Sequence, residues 1–268
     1  MLKEQINKMK KLMLVEQDTT VQLPRYMDST YLKTPEQAGI DEFETDRIVF
    51  DTVKDAIEHD MKLVMLRPEY VTAARALIDK KGYGGRVLVG TVIDFPNGDG
   101  TVTEKVREAN EAIRSGADEL DFVVDYKAFM RGDIDKVRRE VQSGTDVGLK
   151  NGKVVKWILE TAALNEEQIA ELTSLIRDIV VQNFGSKAQD VFVKTSTGFY
   201  QAEDDRPIGA TPESVSIMKQ NSGPLKVKAS GGVYSADDAY KMIDAGAERI
   251  GTSAAKTILM GNKSTDNY

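Results

Sequence analysis

Cysteine is absent from this chain of 268 residues, and histidine and tryptophan each occur once. Without cysteine there are no disulfides, no thiolate metal ligands and no thiol nucleophile. With His59 as the lone histidine, any Ser-His-Asp arrangement needs that residue itself, and histidine-rich zinc sites are excluded. His59 stands in Glu58-His59-Asp60, ahead of an apolar run from Met61 to Leu66, where it reads as the cap of a helix-to-strand loop. No apolar run approaches the roughly 20 residues of a membrane span. An excess of positive charge is missing too. The 36 basic and 43 acidic residues leave a net charge of −7, which argues against a nucleic-acid partner or a membrane surface. An anionic ligand must therefore be held by a local site. Acid–base chemistry falls to Asp, Glu, Lys or Tyr. The lack of cysteine is compatible with a reducing compartment, and a cytoplasmic location is expected.

What is present supports one large core. The apolar fraction is 41%, and an α/β barrel of about 250 residues is a common single-domain solution at this length. Met1 to Leu12 is charged and heptad-like, with no apolar h-region, so it reads as a leading amphipathic helix rather than a signal peptide. We assign residues 1–24 to an N-terminal helical extension and 25–268 to the barrel domain.

Apolar runs closed by turn residues mark eight predicted strands. They begin near Arg25, Leu63, Val87, Glu119, Val154, Val191, Leu225 and Arg249. Helical periodicity fills the intervals, with start signals at Pro68, Asn165, Thr211 and Ser235 and a stop at Gly116. Alternation of this kind implies parallel strands, and eight units imply closure. The predicted fold is α/β, a single-domain (β/α)8 TIM barrel with an extra N-terminal helix. An open doubly wound sheet is disfavoured because no Gly-x-Gly-x-x-Gly follows the first strand.

Four consecutive predicted strands carry a charge where apolar residues are expected: Asp121, Lys156, Lys194 and Lys228. A strand-end lysine can snorkel to solvent. In a barrel strand, however, the face toward the helices is apolar, so the alternate face must carry these charges inward. Lys156 reads as a structural partner for Asp121 or Glu160. Lys194 and Lys228 read as a reactive pair, since neighbouring strands lie about 4.8 Å apart. Two ammoniums at roughly 5 Å repel by about 3 kcal/mol at an effective dielectric near 20. That lowers one of them by about two pKa units from an ordinary value of about 10.4, before burial adds more. Such an amine attacks carbonyls at neutral pH. The argument does not decide which of the two attacks. Glycine-containing turns, Ser230-Gly231-Gly232-Val233 and Gly251-Thr252-Ser253-Ala254, follow the last two predicted strands, where barrels commonly hold phosphate.

These motifs resemble the deoxyribose-phosphate aldolase family of class I, Schiff-base aldolases. The matching runs are Asp94-Phe95-Pro96-Asn97-Gly98, Gly116 to Asp121, Lys156 to Thr161, Val193 to Phe199, Ala210 to Ser214, Lys228 to Val233 and Arg249 to Ser253. They span nearly the whole chain, in order. The resemblance implies a barrel enzyme without a cofactor or metal. Its implied reaction is reversible cleavage of 2-deoxy-D-ribose 5-phosphate to glyceraldehyde 3-phosphate and acetaldehyde. It further implies Lys194 as the Schiff-base lysine, Lys228 as the lysine that perturbs it, and Asp121 as the group relaying protons through water. Gly198, Gly231, Gly232 and Ser253 match phosphate-binding positions. The expected partners are phosphorylated sugar and aldehyde substrates and a second copy in a homodimer.

Three departures bear on the substrate. Tyr234 stands where many relatives have arginine, and Ser29 stands where histidine is often found. The segment from Tyr200 to Gly209 is longer than usual and carries Glu203, Asp204 and Asp205 beside Arg206. The alternatives are a related Schiff-base aldolase acting on a different sugar, an isomerase or lyase using Asp121 without covalent chemistry, and a non-catalytic sugar-phosphate-binding barrel.

Overall fold

The fold is described from a computed structural model, over residues 22–202 and 207–264. The predicted N-terminal helix from Met1 to Leu12 therefore lies outside the described residues, as do the charged residues 203–206.

Eight parallel strands close into a barrel, each paired with its sequence neighbours and the first with the last. They are β1 (Met27–Tyr31), β2 (Leu63–Leu66), β3 (Leu88–Ile93), β4 (Glu119–Val123), β5 (Val154–Ile158), β6 (Val191–Lys194), β7 (Lys226–Ser230) and β8 (Arg249–Thr252). The (β/α)8 expectation is met. β1 starts later than the Arg25 expected because Leu23–Tyr26 form a 3-10 turn containing Pro24, which has no N–H to give to a ladder. Pro68 opens another such turn, and the helix behind it begins at Val71.

Most of the helices start where the sequence supplies caps; those beginning at Val71 and Ala255 have no side-chain cap. Helices α1 (Pro35–Ala38), α2 (Glu42–Glu58) and α3 (Val71–Lys80) cover the first strands. Next come α4 (Val102–Arg114), a short α5 (Tyr126–Met130) that the sequence reading did not separate, and α6 (Ile134–Lys150). The set ends with α7 (Glu166–Phe184), α8 (Pro212–Asn221), α9 (Ala236–Asp244) and α10 (Ala255–Leu259). Thr101, Asn165 and Thr211 each form a reciprocal capping box, satisfying the first-turn N–H groups of α4, α7 and α8. His59 caps the C-terminus of α2, as expected.

Two apolar clusters divide the interior. The larger lies between sheet and helices; in it Trp157 stacks on Phe122, ring centroids 4.8 Å apart, and donates to Thr145 Oγ1. A methyl on Gly144 would meet that indole ring at 2.8 Å, so α6 approaches the sheet through a glycine. Lys156, adjacent to Trp157, must then face the opposite way, into the barrel. The smaller cluster, Leu32, Leu63, Met65 and Val92, fills the barrel beside β2 and β3. On β4 to β8 the inward positions include buried charges: Glu119, Asp121, Lys156, Lys194, Lys228 and Arg249.

Candidate active site

Asp121, Lys156, Lys194 and Lys228 are all buried and in contact, as the strand pattern required. Register accounts for the meeting: Asp121 lies opposite Lys156, and Lys194 lies opposite Lys228. Asp121 is the hub. Its Oδ1 accepts from Lys156 Nζ at 2.5 Å, and its Oδ2 accepts from both Lys194 and Lys228 at 3.0 Å.

Three further charges join them: Asp28 on β1, Glu119 on β4 and Arg249 on β8. Lys228 Nζ lies 2.6 Å from Asp28 Oδ2, a close ion pair rather than an aligned hydrogen bond. Arg249 donates to Asp28 Oδ1 from both Nε and a terminal nitrogen, and to both oxygens of Glu119. Glu119 also pairs with Lys156 at 2.6 Å. The sequence reading missed these three, although each is a charge inside a strand and Glu119 shares a face with Asp121 two residues on. Glu160, offered there as an alternative partner of Lys156, lies elsewhere; Lys156 is satisfied by Asp121 and Glu119.

The ring holds three carboxylates and four cations, so one positive charge is in surplus. Lys156, Lys228 and Arg249 each reach two carboxylates. Among the described residues Lys194 reaches Asp121 alone and shares it. Burial pushes the Lys194 amine down to about 8; Asp121 opposes that, and the Lys228 charge adds to it. For Asp121, burial favours the neutral acid, but the ammoniums of Lys156, Lys228 and Lys194 outweigh it and hold the carboxyl well below its usual range. Glu119 is held at about 2, because Lys156 and Arg249 overcome its burial in the same way.

A cavity of about 790 Å³ lies at the C-terminal ends of the strands, lined among others by Lys33, Asn97, Tyr126, Glu160, Thr197 and Gly198. Its wall after β3 is held by Lys105, whose buried ammonium donates to Gly98 O, Val123 O and Glu140. Phe199 meets Phe95 edge to face at 5.1 Å across the mouth. A second cavity, of about 640 Å³, shares Gly198 and Ile208 with the first and is lined by Gly231, Gly232 and Tyr234. Gly231 and Gly232 have φ of 76° and 73°, and a Cβ on Gly209 would stand 2.4 Å from the Gly231 carbonyl carbon. The loop ending at Gly209 therefore lies directly against the Gly231-Gly232 turn. Ser253 is exposed after β8 and does not line this cavity.

Fold and geometry define the class: an α/β barrel with a buried, partly discharged amine beneath the C-terminal mouth. The model for the DeoC/LacD family of aldolases matches residues 13–264, and the chain belongs to that family. It is 38% identical over 245 residues to a deoxyribose-phosphate aldolase of Staphylococcus haemolyticus, covering 91% of this chain and 98% of that one. Among solved structures it resembles QR15, an aldolase, with TM-score 0.72 and 33% identity over 90% of this chain and 96% of that one. It also resembles a deoxyribose phosphate aldolase from Aeropyrum pernix, described as having a unique tetrameric structure, with TM-score 0.69 and 30% identity over 89% of each chain.

Proposed function

We propose that this chain is a class I aldolase that cleaves 2-deoxy-D-ribose 5-phosphate reversibly to glyceraldehyde 3-phosphate and acetaldehyde. The observation carrying this reading is the Lys194 amine, buried, lowered to about 8 and tied to one shared carboxylate. The same asymmetry selects Lys194 over Lys228, which keeps two carboxylates.

In this mechanism the neutral Lys194 nitrogen adds to C1 of the open-chain sugar, and loss of water leaves an iminium. The C2–C3 bond then breaks as the C3 hydroxyl gives up its proton. Its electrons move to the nitrogen as an enamine, and the three-carbon aldehyde leaves. Protonation of the enamine carbon regenerates an iminium, and hydrolysis returns acetaldehyde and the free amine. Asp121 and Lys228 pass these protons through water. Lys156 with Glu119 holds Asp121 in place. Gly231 and Gly232 offer backbone to the phosphate, because neighbouring backbone leaves little room for side chains there; Gly198, with φ of 84°, and Ser253, from the turn after β8, join them in this reading.

One observation favours a second reading, in which the same chemistry acts on a differently phosphorylated sugar. Tyr234, Glu213 and Asp238 line the second cavity, and its cation among the described residues is Lys241, which pairs with Asp237. A homodimer and a cytoplasmic setting belong to the first reading. Among the described residues no helix is long and apolar enough to cross a membrane. Solvent-exposed Phe43 and Met260 are compatible with a contact between copies.

Incubation with acetaldehyde followed by borohydride and peptide mapping tests the chemistry. A reduced adduct is expected at Lys194; an unmodified lysine there removes the reading. Repeating the trap with a panel of phosphorylated sugars separates the two substrates.

A further inference from the structure

Glu160 has no part in the ion-pair ring, yet it is a buried and constrained residue at the mouth. It follows β5 with φ of 59° and ψ of 64°, a left-handed conformation that costs a non-glycine residue of order 1 kcal/mol or more. Its side chain is buried. Oε2 accepts from the backbone N–H of Thr197 at 3.2 Å and from the Thr197 hydroxyl. Among the described residues Oε1 is buried without a partner, and an unpaired buried oxygen is itself costly. The residue nevertheless lines the 790 Å³ cavity, beside Tyr126 and Thr197. Holding the turn after β6 uses only Oε2. Strain and an empty acceptor together point to a ligand group that Oε1 meets.

The chemistry of that group can be narrowed. Burial pushes the Glu160 carboxyl up to about 7, against the hydrogen bonds from Thr197 and the charge of Lys194. Near neutral pH both protonation states are present. Oε2 already accepts two hydrogen bonds, so the proton of the acid form sits on Oε1. An anionic group would be repelled by the ionised form, and a pure donor would be turned away by the acid form. A hydroxyl pairs with either, since it both donates and accepts. Phosphate has its own glycine-lined cavity, reached past Gly198.

Resting on the aldolase reading above, we propose that Glu160 selects hydroxylated acceptor aldehydes, its unpartnered Oε1 bonding an acceptor hydroxyl inside the cavity. Thr197 orients it, and Lys194 carries the donor carbon alongside. The residue is thus a specificity group for the half of the substrate that does not become covalently attached.

The test compares D-glyceraldehyde with propanal, three-carbon acceptors that differ in their hydroxyls, with acetaldehyde as donor. Wild type must first trap acetaldehyde at Lys194 with borohydride; failure there sinks the aldolase reading and is distinct from failure of this one. Glu160→Met is expected to raise KM for D-glyceraldehyde at least about tenfold more than KM for propanal, the size of one lost hydrogen bond of about 1.4 kcal/mol. Glu160→Gln, which keeps a polar atom at that position, should retain most of the preference. Trapping at Lys194 should persist in both variants. Equal loss on the two acceptors, loss of trapping, or an unchanged preference in Glu160→Met would each overturn the proposal.

Discussion

Among the described residues Lys194 has one carboxylate within ion-pair distance, while Lys228 bridges the same Asp121 and also Asp28. Two substitutions should therefore move the Lys194 proton in opposite directions. Lys228→Leu removes a repelling charge and leaves Asp121 freer to hold the Lys194 ammonium; both effects raise its pKa. The pH at which borohydride trapping reaches half its maximum should shift upward from about 8. Asp121→Asn removes the group that opposes burial, so trapping should extend to lower pH while turnover falls. An unchanged trapping profile in both variants would rule out charge coupling at Lys194. Strand periodicity revealed that Lys194 and Lys228 meet, but it ranked the causes differently. Repulsion between the ammoniums was expected to lead; burial is larger, and the attraction to Asp121 also exceeds the Lys228 effect. Sequence distance hides this, because desolvation depends on what closes over a nitrogen. Asp28 and Arg249 went unread for a related reason: their strands lie at opposite ends of the chain and touch only when the barrel closes.

At the level of elements, the starts of β2 and β6 and the caps of α7 and α8 were legible because capping residues and apolar runs are local signals. The short helix α5 was not, since Tyr126–Met130 is too brief to show a helical period. The contact between the Gly209 end of the loop after β6 and the Gly231-Gly232 turn was equally invisible, being a matter of backbone approach. Gly209→Ala should push these two segments apart, since its Cβ would fall 2.6 Å from Gly232 N. The expected result is a weaker KM for phosphorylated substrates, with acetaldehyde trapping retained. Steady-state kinetics on phosphorylated and unphosphorylated acceptors checks this; equal effects on both would count against a phosphate role for the turn.

For the whole molecule, charge on one side of the barrel and aliphatic packing on the other divide the interior. The charged side joins β1, β4, β5, β6, β7 and β8 through ion pairs, so its loss should be felt globally rather than at the mouth alone. Lys156→Met leaves Asp121 and Glu119 each short of a buried partner. Removing one member of a buried pair costs about 3–5 kcal/mol, and urea unfolding should show a loss of that order. A loss below about 1 kcal/mol would mean that water or rearranged neighbours already satisfy those carboxylates. The eightfold alternation was readable from sequence because helix and strand periods differ along the entire chain. How the ring balances its charges was not, since that sum requires every strand at once.

The surplus cation has one more consequence. While Lys194 is a free amine, the pocket rests in electroneutrality, three against three. In the proposed reaction, capture of an aldehyde reinstates a formal positive nitrogen in surroundings that had just expelled one, and shedding its N–H proton would only leave a neutral imine that withdraws electrons poorly. The productive relief is by electrons drawn out of the adjoining carbon skeleton. The oily enclosure that makes the amine willing to bond thus also makes the resulting iminium a hungrier sink, coupling capture of the substrate to its scission.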